Sequence, residues 1–305
     1  MPCPLADTLD ALPENAALAV GAFDGLHLGH QALLNAMQAF ATATGRPACI
    51  LTFGQLPLTL LDPTHAPGRI YDDAHLLTLL ATRTPAPTLL IHQPFTPAFA
   101  ALSPEAFARK LRGATLFCGE DWRFGAGAQG TPDFLAARGF AIHRIPYARW
   151  QNQRISSTRI RAALAQGDLP AVAAMLGRPW AFTGTIIHGR GLAGPTLGTP
   201  TLNIPYIGRN GEHLAPLARG VYRATAHIGP HQWRACLNFG TAPTLKNEPS
   251  PLLEAHLLGA NGNFYNQTVT LTLAHARLRP ERHFPTLGDL QKQIAADLAA
   301  IQAEP

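Results

Sequence analysis

The residues best suited to chemistry lie in the ten-residue segment Gly21–His30, which reads Gly-Ala-Phe-Asp-Gly-Leu-His-Leu-Gly-His. An apolar run at residues 16–20 precedes it and a stretch of helical composition follows, so a strand, a glycine turn and a helix start are predicted. Free N–H groups at a helix start bind phosphate, and glycine lets the backbone approach closely. His27 and His30 would face one side of the first helical turn and stabilise a phosphoryl oxygen that gains charge in a transition state.

Two other interpretations of these histidines remain open. A single histidine near a helix start is usually a polar surface residue, although two histidines with an aspartate and glycines in one short segment favour a site. Histidines three residues apart could also share a zinc ion. A catalytic zinc needs a third protein ligand, and no nearby cysteine or carboxylate has an obvious spacing for that role.

Composition bounds the class of protein. The chain has 305 residues, enough for about two domains. Hydrophobic residues make up 47% and charged residues only 14%, so each domain can bury a sizeable core. The net charge is +5, but the arginines are scattered without a basic run. We therefore expect anionic nucleotides as partners and no nucleic acid.

The cysteines and the hydropathy pattern predict a cytoplasmic protein. The four cysteines lie far apart with no Cys-x-x-Cys pair, which is typical of a reducing compartment. The N-terminal residues lack the basic and apolar regions of a signal peptide. No run of 18 or more apolar residues occurs, so no membrane partner is expected.

Strand-like and helix-like stretches alternate in the first half of the chain, which predicts an α/β doubly wound parallel sheet. The strands are predicted at 16–20, 48–53, 88–92, 114–118 and 140–145, and the helices at 31–42, 72–82, 104–112 and 132–138. Ligands of such sheets bind at the carboxyl ends of the strands, where Gly21–His30 lies.

The pattern changes after residue 179. A helical region at 156–176 is followed by short β-like runs at 183–187, 221–228, 233–239, 252–258 and 268–273. Closely spaced strands of this kind predict an antiparallel β-barrel, and a C-terminal helix is predicted at 286–303. We place the boundary near 182, giving domains 1–182 and 183–305.

Three further motifs carry polar groups suited to phosphate chemistry. Ile155–Arg161 reads Ile-Ser-Ser-Thr-Arg-Ile-Arg at a helix start, where a serine could cap the helix and one arginine could reach a triphosphate. A glycine-rich loop from His188 ends in Thr201 and Asn203, whose oxygens suit Mg²⁺. Glu254 alternates with Leu253 and could accept a hydroxyl proton. A plain N-cap, a β-turn and a solvent-facing carboxylate are the corresponding alternatives.

These segments resemble, in order, the motifs of bacterial bifunctional riboflavin kinase/FAD synthetases. Gly21–His30 is similar to their first motif, which contains the His-x-Gly-His signature of nucleotidyltransferases. Ile155–Arg161 is similar to their second nucleotide-binding signature. Gly119–Gly125 resembles their Gly-x-Asp-Phe-x-Phe-Gly loop, with Trp122 in place of phenylalanine.

The second half carries the riboflavin kinase part of the resemblance. The loop ending in Pro-Thr-x-Asn, the Asn238–Thr244 segment, the Leu253–Leu258 segment and Leu-Arg-x-Glu at 278–281 all match family motifs. The chain departs from those motifs at several positions. Gly54-Gln55-Leu56 lacks the proline and histidine of Thr-Phe-x-Pro-His-Pro, and Pro195, Thr199, Ala242 and Gly259 replace other motif residues.

The resemblance implies phosphorylation of riboflavin by ATP and then transfer of AMP from ATP to FMN, which releases pyrophosphate. It also implies Mg²⁺ as cofactor, with FMN and FAD as substrates or products rather than prosthetic groups. The implied catalytic residues are His27, His30 and Glu254, and the implied metal ligands are Thr201 and Asn203. The implied nucleotide-binding residues are Gly21, Phe23, Asp24, Gly25, Gly29, Ser156, Ser157, Thr158, Arg161, Gly189, Gly194 and Gly198. The implied substrate-binding residues are Asp121, Phe124, Asn238 and Arg279.

Two alternatives to the two-step enzyme are a single-activity member with one half silenced and a non-catalytic regulator that binds flavin or nucleotide. A regulator would not require a base, so the joint presence of the histidines, Thr201, Asn203 and Glu254 favours an enzyme.

Overall fold

A computed structural model describes residues 3–188, 201–243, 249–282 and 284–303. The chain forms two compact units. The first contains Met1–Arg69 and Asp73–Ser157, and the second contains Ile70–Asp72 and Thr158–Pro305. The domain boundary near residue 182 stays a prediction from the sequence.

The first unit is built on a six-stranded sheet in which every pair of neighbours is parallel. Its strands are β1 (Leu5–Ala6), β2 (Ala17–Val20), β3 (Ala48–Phe53), β4 (Leu89–Gln93), β5 (Thr115–Gly119) and β6 (Ile142–Ile145), in the spatial order β1-β4-β3-β2-β5-β6. A small antiparallel pair, β7 (Arg149–Trp150) and β8 (Gln153–Arg154), follows. The predicted parallel doubly wound sheet is confirmed.

Helices connect these strands, as the alternating pattern predicts. They are α1 (Leu28–Thr44), α2 (Pro57–Leu61), α3 (Asp73–Ala81), α4 (Pro97–Ala100), α5 (Pro104–Lys110) and α6 (Pro132–Ala136). After β8 come α7 (Ser157–Gln166) and α8 (Leu169–Leu176), which belong to the second unit apart from Ser157. Helix α1 begins three residues before its predicted start, because the His27 side chain caps it.

Both faces of the parallel sheet are covered, which explains why its strands read as continuous apolar runs. In β2, Leu18 and Val20 belong to one core cluster, whereas Ala17 and Ala19 belong to the other. All four side chains are buried. The strand therefore carries no polar residue until the chain reaches the turn at its carboxyl end.

The second unit contains an antiparallel sheet and a C-terminal helix, as predicted. The sheet strands are β9 (Trp180–Thr185), β10 (Thr201–Pro205), β11 (Gly220–Ile228), β12 (His231–Pro243), β13 (Pro249–Leu257), β14 (Thr268–Leu273) and β15 (Arg279–Pro280), and the helix is α9 (Leu287–Gln302). The spatial order is β10-β13-β12-β11-β14-β9, with β15 beside β11. Ile187, just after β9, pairs with Asn203 of β10, so the curled sheet meets itself at its two edges.

A three-residue segment from the first half of the chain, Ile70–Asp72, belongs to the second unit. The Trp180 indole donates a hydrogen bond to the Ile70 carbonyl at 3.0 Å. The Arg209 guanidinium binds both oxygens of the Asp72 carboxylate, at 2.7 and 2.8 Å. An aromatic donor and a bidentate ion pair thus hold this segment.

Across the described ranges, no helix combines the length and the apolar character needed to cross a membrane.

Candidate active sites

The first candidate site begins where β2 ends. The turn after Val20 holds Phe23 at φ +49°, Gly25 at φ +78° and Leu26 at φ +43°. The Leu26 amide donates to the Phe23 carbonyl at 2.7 Å, which closes the turn. Left-handed backbone is uncommon for residues such as Phe and Leu and occurs disproportionately at functional sites.

Two stacked histidines stand at the N-terminus of α1. The His27 Nδ1 atom accepts a hydrogen bond from the His30 amide at 3.3 Å and thereby caps the helix. The two rings lie 3.6 Å apart and nearly parallel, and the Phe23 ring meets His30 edge-on at 5.4 Å. The structure therefore brings both imidazoles to the positive end of a 17-residue helix.

Gly29 makes this arrangement possible. A Cβ atom at this position would lie 3.1 Å from His27 Cε1 and 3.2 Å from His27 Nδ1. A side chain at position 29 would therefore press against the His27 ring and require the ring to shift by a few tenths of an ångström. The glycine of His-x-Gly-His has a packing reason here that the sequence alone does not reveal.

The second nucleotide-binding motif begins beside this turn. The Ser157 hydroxyl donates to the Asp24 carbonyl at 2.9 Å, and the Asp24 side chain is buried. Ser157 is the first residue of α7, and Thr158 and Arg161 follow in its first turns. Ser156 immediately precedes the helix.

Asp121 and Phe124 have different surroundings. Asp121 Oδ2 lies 3.0 Å from the Arg154 guanidinium, which stacks over the Tyr147 ring. Partial burial alone would raise the pKa of Asp121, but the Arg154 hydrogen bond and charge outweigh it and the pKa is lowered. Phe124 is a core residue, 7% exposed, that stacks on Trp122 and packs against Phe107.

A polar cluster that the sequence did not reveal lies at the carboxyl ends of β3 and β4. The buried Arg69 donates to Asp73 Oδ1 and to the Gly54 carbonyl, both at 3.1 Å. The second Asp73 oxygen lies 2.8 Å from His92 Nε2. The one available signal was the departure from the family motif at Gly54–Leu56.

The second candidate site is a polar row across three neighbouring strands of the second unit. Asn203 of β10 and Asn238 of β12 both pair in register with Glu254 of β13. The Asn238 amide donates to Glu254 Oε2 at 3.2 Å. The intervening residues face the core, so these three side chains share the opposite face of the sheet.

The predicted metal ligands lie on that same face. Thr201 is two residues before Asn203 and pairs in register with His256. A threonine hydroxyl, an asparagine carbonyl and a nearby carboxylate are hard oxygen donors, which fit Mg²⁺. The predicted nucleotide-binding glycines Gly189, Gly194 and Gly198 lie outside the described residues. Among the residues that the structure describes, no group of three or more His, Cys, Asp or Glu side chains could hold a metal ion.

Arg279 takes part in a buried ion pair. Its guanidinium contacts both oxygens of Asp297 in α9, with the shortest N–O distance 2.7 Å. Gln293 donates to the same carboxylate at 2.9 Å. In this structure Arg279 therefore attaches the C-terminal helix to the sheet, and its predicted contact with substrate stays a prediction.

The fold and the sites define a two-part protein: an α/β nucleotidyltransferase unit followed by an antiparallel unit with a carboxylate–amide row. Family models agree with both parts. A FAD synthetase model matches residues 9–159, and a riboflavin kinase model matches residues 176–304. The chain belongs to the family of bifunctional riboflavin kinase/FMN adenylyltransferases.

Curated relatives bear the same description over nearly the whole chain. Bifunctional riboflavin kinase/FMN adenylyltransferases from Pseudomonas fluorescens and Escherichia coli (strain K12) are 32% and 33% identical, each covering 93% of this chain and 91% of the relative. The Haemophilus influenzae protein is 32% identical and covers 95% of this chain and 94% of its own length. The predicted family and its two activities are confirmed.

A solved structure shares the fold along the full length. It is described as a macrolide-efflux protein from Streptococcus pneumoniae and is 26% identical, with a TM-score of 0.84 and 99% of both chains covered.

Proposed function

We propose that the second unit phosphorylates riboflavin with ATP to give FMN and ADP, and that the first unit transfers AMP from a second ATP to FMN to give FAD and pyrophosphate. The observation that carries this proposal is that one chain holds both sets of groups. The stacked histidines at the start of α1 suit adenylyl transfer, and the Asn203–Glu254–Asn238 row suits phosphorylation of a hydroxyl.

Adenylyl transfer to FMN needs little acid–base chemistry. The attacking group is the phosphate of FMN, which is already an anion, so positioning and charge stabilisation supply the catalysis. The His27 and His30 rings and the N-terminal amides of α1 lie together at the carboxyl end of β2. We assign them to the triphosphate of ATP, where negative charge grows as pyrophosphate leaves.

Phosphorylation of riboflavin does require a base, because its primary hydroxyl must lose a proton as it attacks. Glu254 is a half-buried carboxylate whose Oε2 atom is held by the Asn238 amide at 3.2 Å. We assign Glu254 as the proton acceptor and Asn238 as the group that orients it.

The kinase step would use a divalent cation, and we propose Mg²⁺ held by the Thr201 hydroxyl and the Asn203 carbonyl. When bound, Mg²⁺ neutralises the charge of the ATP phosphates. The chain's own contribution is to place both ligands two residues apart on one strand, in register with His256 and Glu254.

The proposed partners are ATP, riboflavin and FMN, without a nucleic acid or a membrane. Cys3, Cys49, Cys118 and Cys236 are all free thiols, which supports the cytoplasmic location predicted from the sequence.

Incubation with riboflavin, ATP and Mg²⁺, followed by chromatography, tests the two-step function. We expect FMN to form first and FAD to follow. FMN as the sole product would contradict adenylyl transfer and indicate a single-activity kinase. Formation of neither product would contradict both steps and favour a non-catalytic binding protein.

The site assignments make opposite predictions for two variants. Replacing His30 by Ala should lower FAD synthesis from FMN by about 100-fold and leave FMN synthesis unchanged, because its imidazole belongs to the first unit only. Glu254→Ala should abolish FMN synthesis and spare FAD synthesis when FMN is supplied. Glu254→Gln is the matched control, since it keeps the side-chain shape without the base. Loss of both activities in either variant would contradict independent sites.

A further inference from the structure

His92 lies beside a site whose family motif is altered in this chain. It sits in β4, paired in register with Thr52 of β3, and Gly54-Gln55-Leu56 follows that strand where the family motif carries proline and histidine. A Cβ atom at Gly54 would lie 3.3 Å from His92 Cε1 and 3.4 Å from Nε2. The glycine thus leaves space for an imidazole that comes from the neighbouring strand.

The Asp73 carboxylate, which forms a buried ion pair with Arg69, fixes this imidazole. His92 Nε2 lies 2.8 Å from Asp73 Oδ2, off the line of an ideal hydrogen bond, and Arg69 binds the other oxygen of the same carboxylate. Arg69 also donates to the Gly54 carbonyl, so a hydrogen bond links the Arg69–Asp73 ion pair to the backbone after β3. A carboxylate facing Nε2 favours the proton on that atom, so Nδ1 keeps a lone pair that can accept a hydrogen bond from a hydroxyl group. The side chain is 21% exposed, so a ligand can reach it.

The position of His92 in the sheet favours contact with FMN, which accepts the AMP group, rather than with ATP. Its strand β4 is two strands from β2, a separation of about 10 Å. The carboxyl ends of parallel strands share one edge, so His92 lies along the same edge as Gly21–His30. Half-buried Phe53 ends β3 and half-buried Phe95 follows β4, and their rings meet at 5.4 Å. Flat apolar rings next to a polar group suit a flavin with its polar arm.

We propose that His92 accepts a hydrogen bond from a ribityl hydroxyl of FMN in the adenylyltransferase site, with Asp73 as its positioning residue. This inference rests on the proposed function of the first unit. It assigns to a strand residue of this chain a substrate contact at the place where the family motif is altered.

The test measures FAD synthesis by the full chain as FMN and ATP are varied in turn. His92→Ala should raise the KM for FMN about tenfold, the loss expected for one hydrogen bond, and change kcat and the KM for ATP less than twofold. His92→Gln should restore part of the loss, because its amide can still bind a polar arm. His143→Gln, in β6 of the same sheet, is the matched control and should leave all three values unchanged.

A second variant shows whether the effect passes through the ring. Gly54→Ala should raise the KM for FMN by about threefold in the wild-type background, because its new Cβ displaces the His92 ring. In the His92→Ala background the same substitution should have no effect, since the ring is gone. A merely structural effect of Gly54→Ala would persist in both backgrounds.

The outcomes separate this inference from the function on which it rests. If the wild-type chain makes no FAD, the adenylyltransferase function and the role of His92 are both wrong. If it makes FAD but His92→Ala keeps the KM for FMN within twofold, or raises the KM for ATP equally, the role of His92 alone is overturned. Equal effects of Gly54→Ala in both backgrounds would also overturn it.

Discussion

Replacing Gly29 by alanine should damage adenylyl transfer without damaging the fold. The added Cβ would lie 3.1 Å from His27 Cε1, whereas carbon atoms in contact prefer about 3.5–4.0 Å. The His27 ring must therefore move by about 0.5 Å, and it would leave its stacked position 3.6 Å from His30.

The two expected effects of Gly29→Ala on the free energy of unfolding nearly cancel. Alanine in place of glycine inside a helix stabilises it by about 1 kcal/mol, and loss of the His27 cap costs about 1 kcal/mol. The effect on the reaction rate has no such compensation, because a misplacement of about 1 Å in an active site can lower the rate 100-fold. For half that displacement we expect FAD synthesis from FMN to fall about tenfold at saturating substrates.

The assay compares FAD synthesis, FMN synthesis and the thermal unfolding midpoint of the same preparation. Gly288→Ala is the matched control, because Gly288 occupies the same second helical position in α9. Among the described residues its Cβ would meet only Thr286 Oγ1, at 3.8 Å. That variant should keep both activities. If Gly29→Ala makes FAD within twofold of the wild-type rate, the close contact between Gly29 and His27 has no catalytic importance and the reasoning fails.

Two further predictions concern the second unit. Asp297→Asn leaves the buried Arg279 charge unpaired, so the free energy of unfolding in urea should fall by about 3 kcal/mol. Asp289→Asn, on the exposed first turn of α9, is the control and should change the free energy of unfolding by less than 1 kcal/mol. Equal effects of the two variants would contradict the ion pair's role. Burial lowers the pKa of His256 below its usual 6.5 in the native state, so the unfolded chain takes up that proton first as pH falls. The free energy of unfolding should therefore decrease below about pH 6.5, which urea unfolding at pH values from 7 to 5 would measure. The decrease should be smaller for His256→Gln, and an equal decrease in both proteins would contradict the role of His256.

Hydropathy and turn chemistry were enough to predict most elements of the first unit, because strands buried on both faces leave unbroken apolar runs. In the second unit the same patterns missed β10 (Thr201–Pro205), because Pro200 precedes it, Pro205 ends it and the sequence before it is rich in glycine, all typical turn signals. Pairing with β13 makes the segment a strand regardless. Tertiary pairing overrode local composition there.

The site divides in the same way. The local spacing of His27 and His30 and the motif around Glu254 made these residues candidates from the sequence alone, and their catalytic roles stay predictions. The cluster of Arg69, Asp73 and His92 was not, because none of its members has a distinctive neighbour along the chain. A parallel sheet brings residues of successive strands to one edge, and single-sequence patterns do not show which of them meet.

The segment Ile70–Asp72 has a consequence for dividing the chain into its two units. The peptide leaves the first unit, provides the Ile70 carbonyl and the Asp72 carboxylate to Trp180 and Arg209, and returns three residues later. No single cut of the polypeptide therefore separates the two units cleanly. A gene split between the two halves would leave Arg209 and the Trp180 indole without these partners. A second unit produced without residues 70–72 should therefore lose the Trp180 hydrogen bond and the Arg209 ion pair.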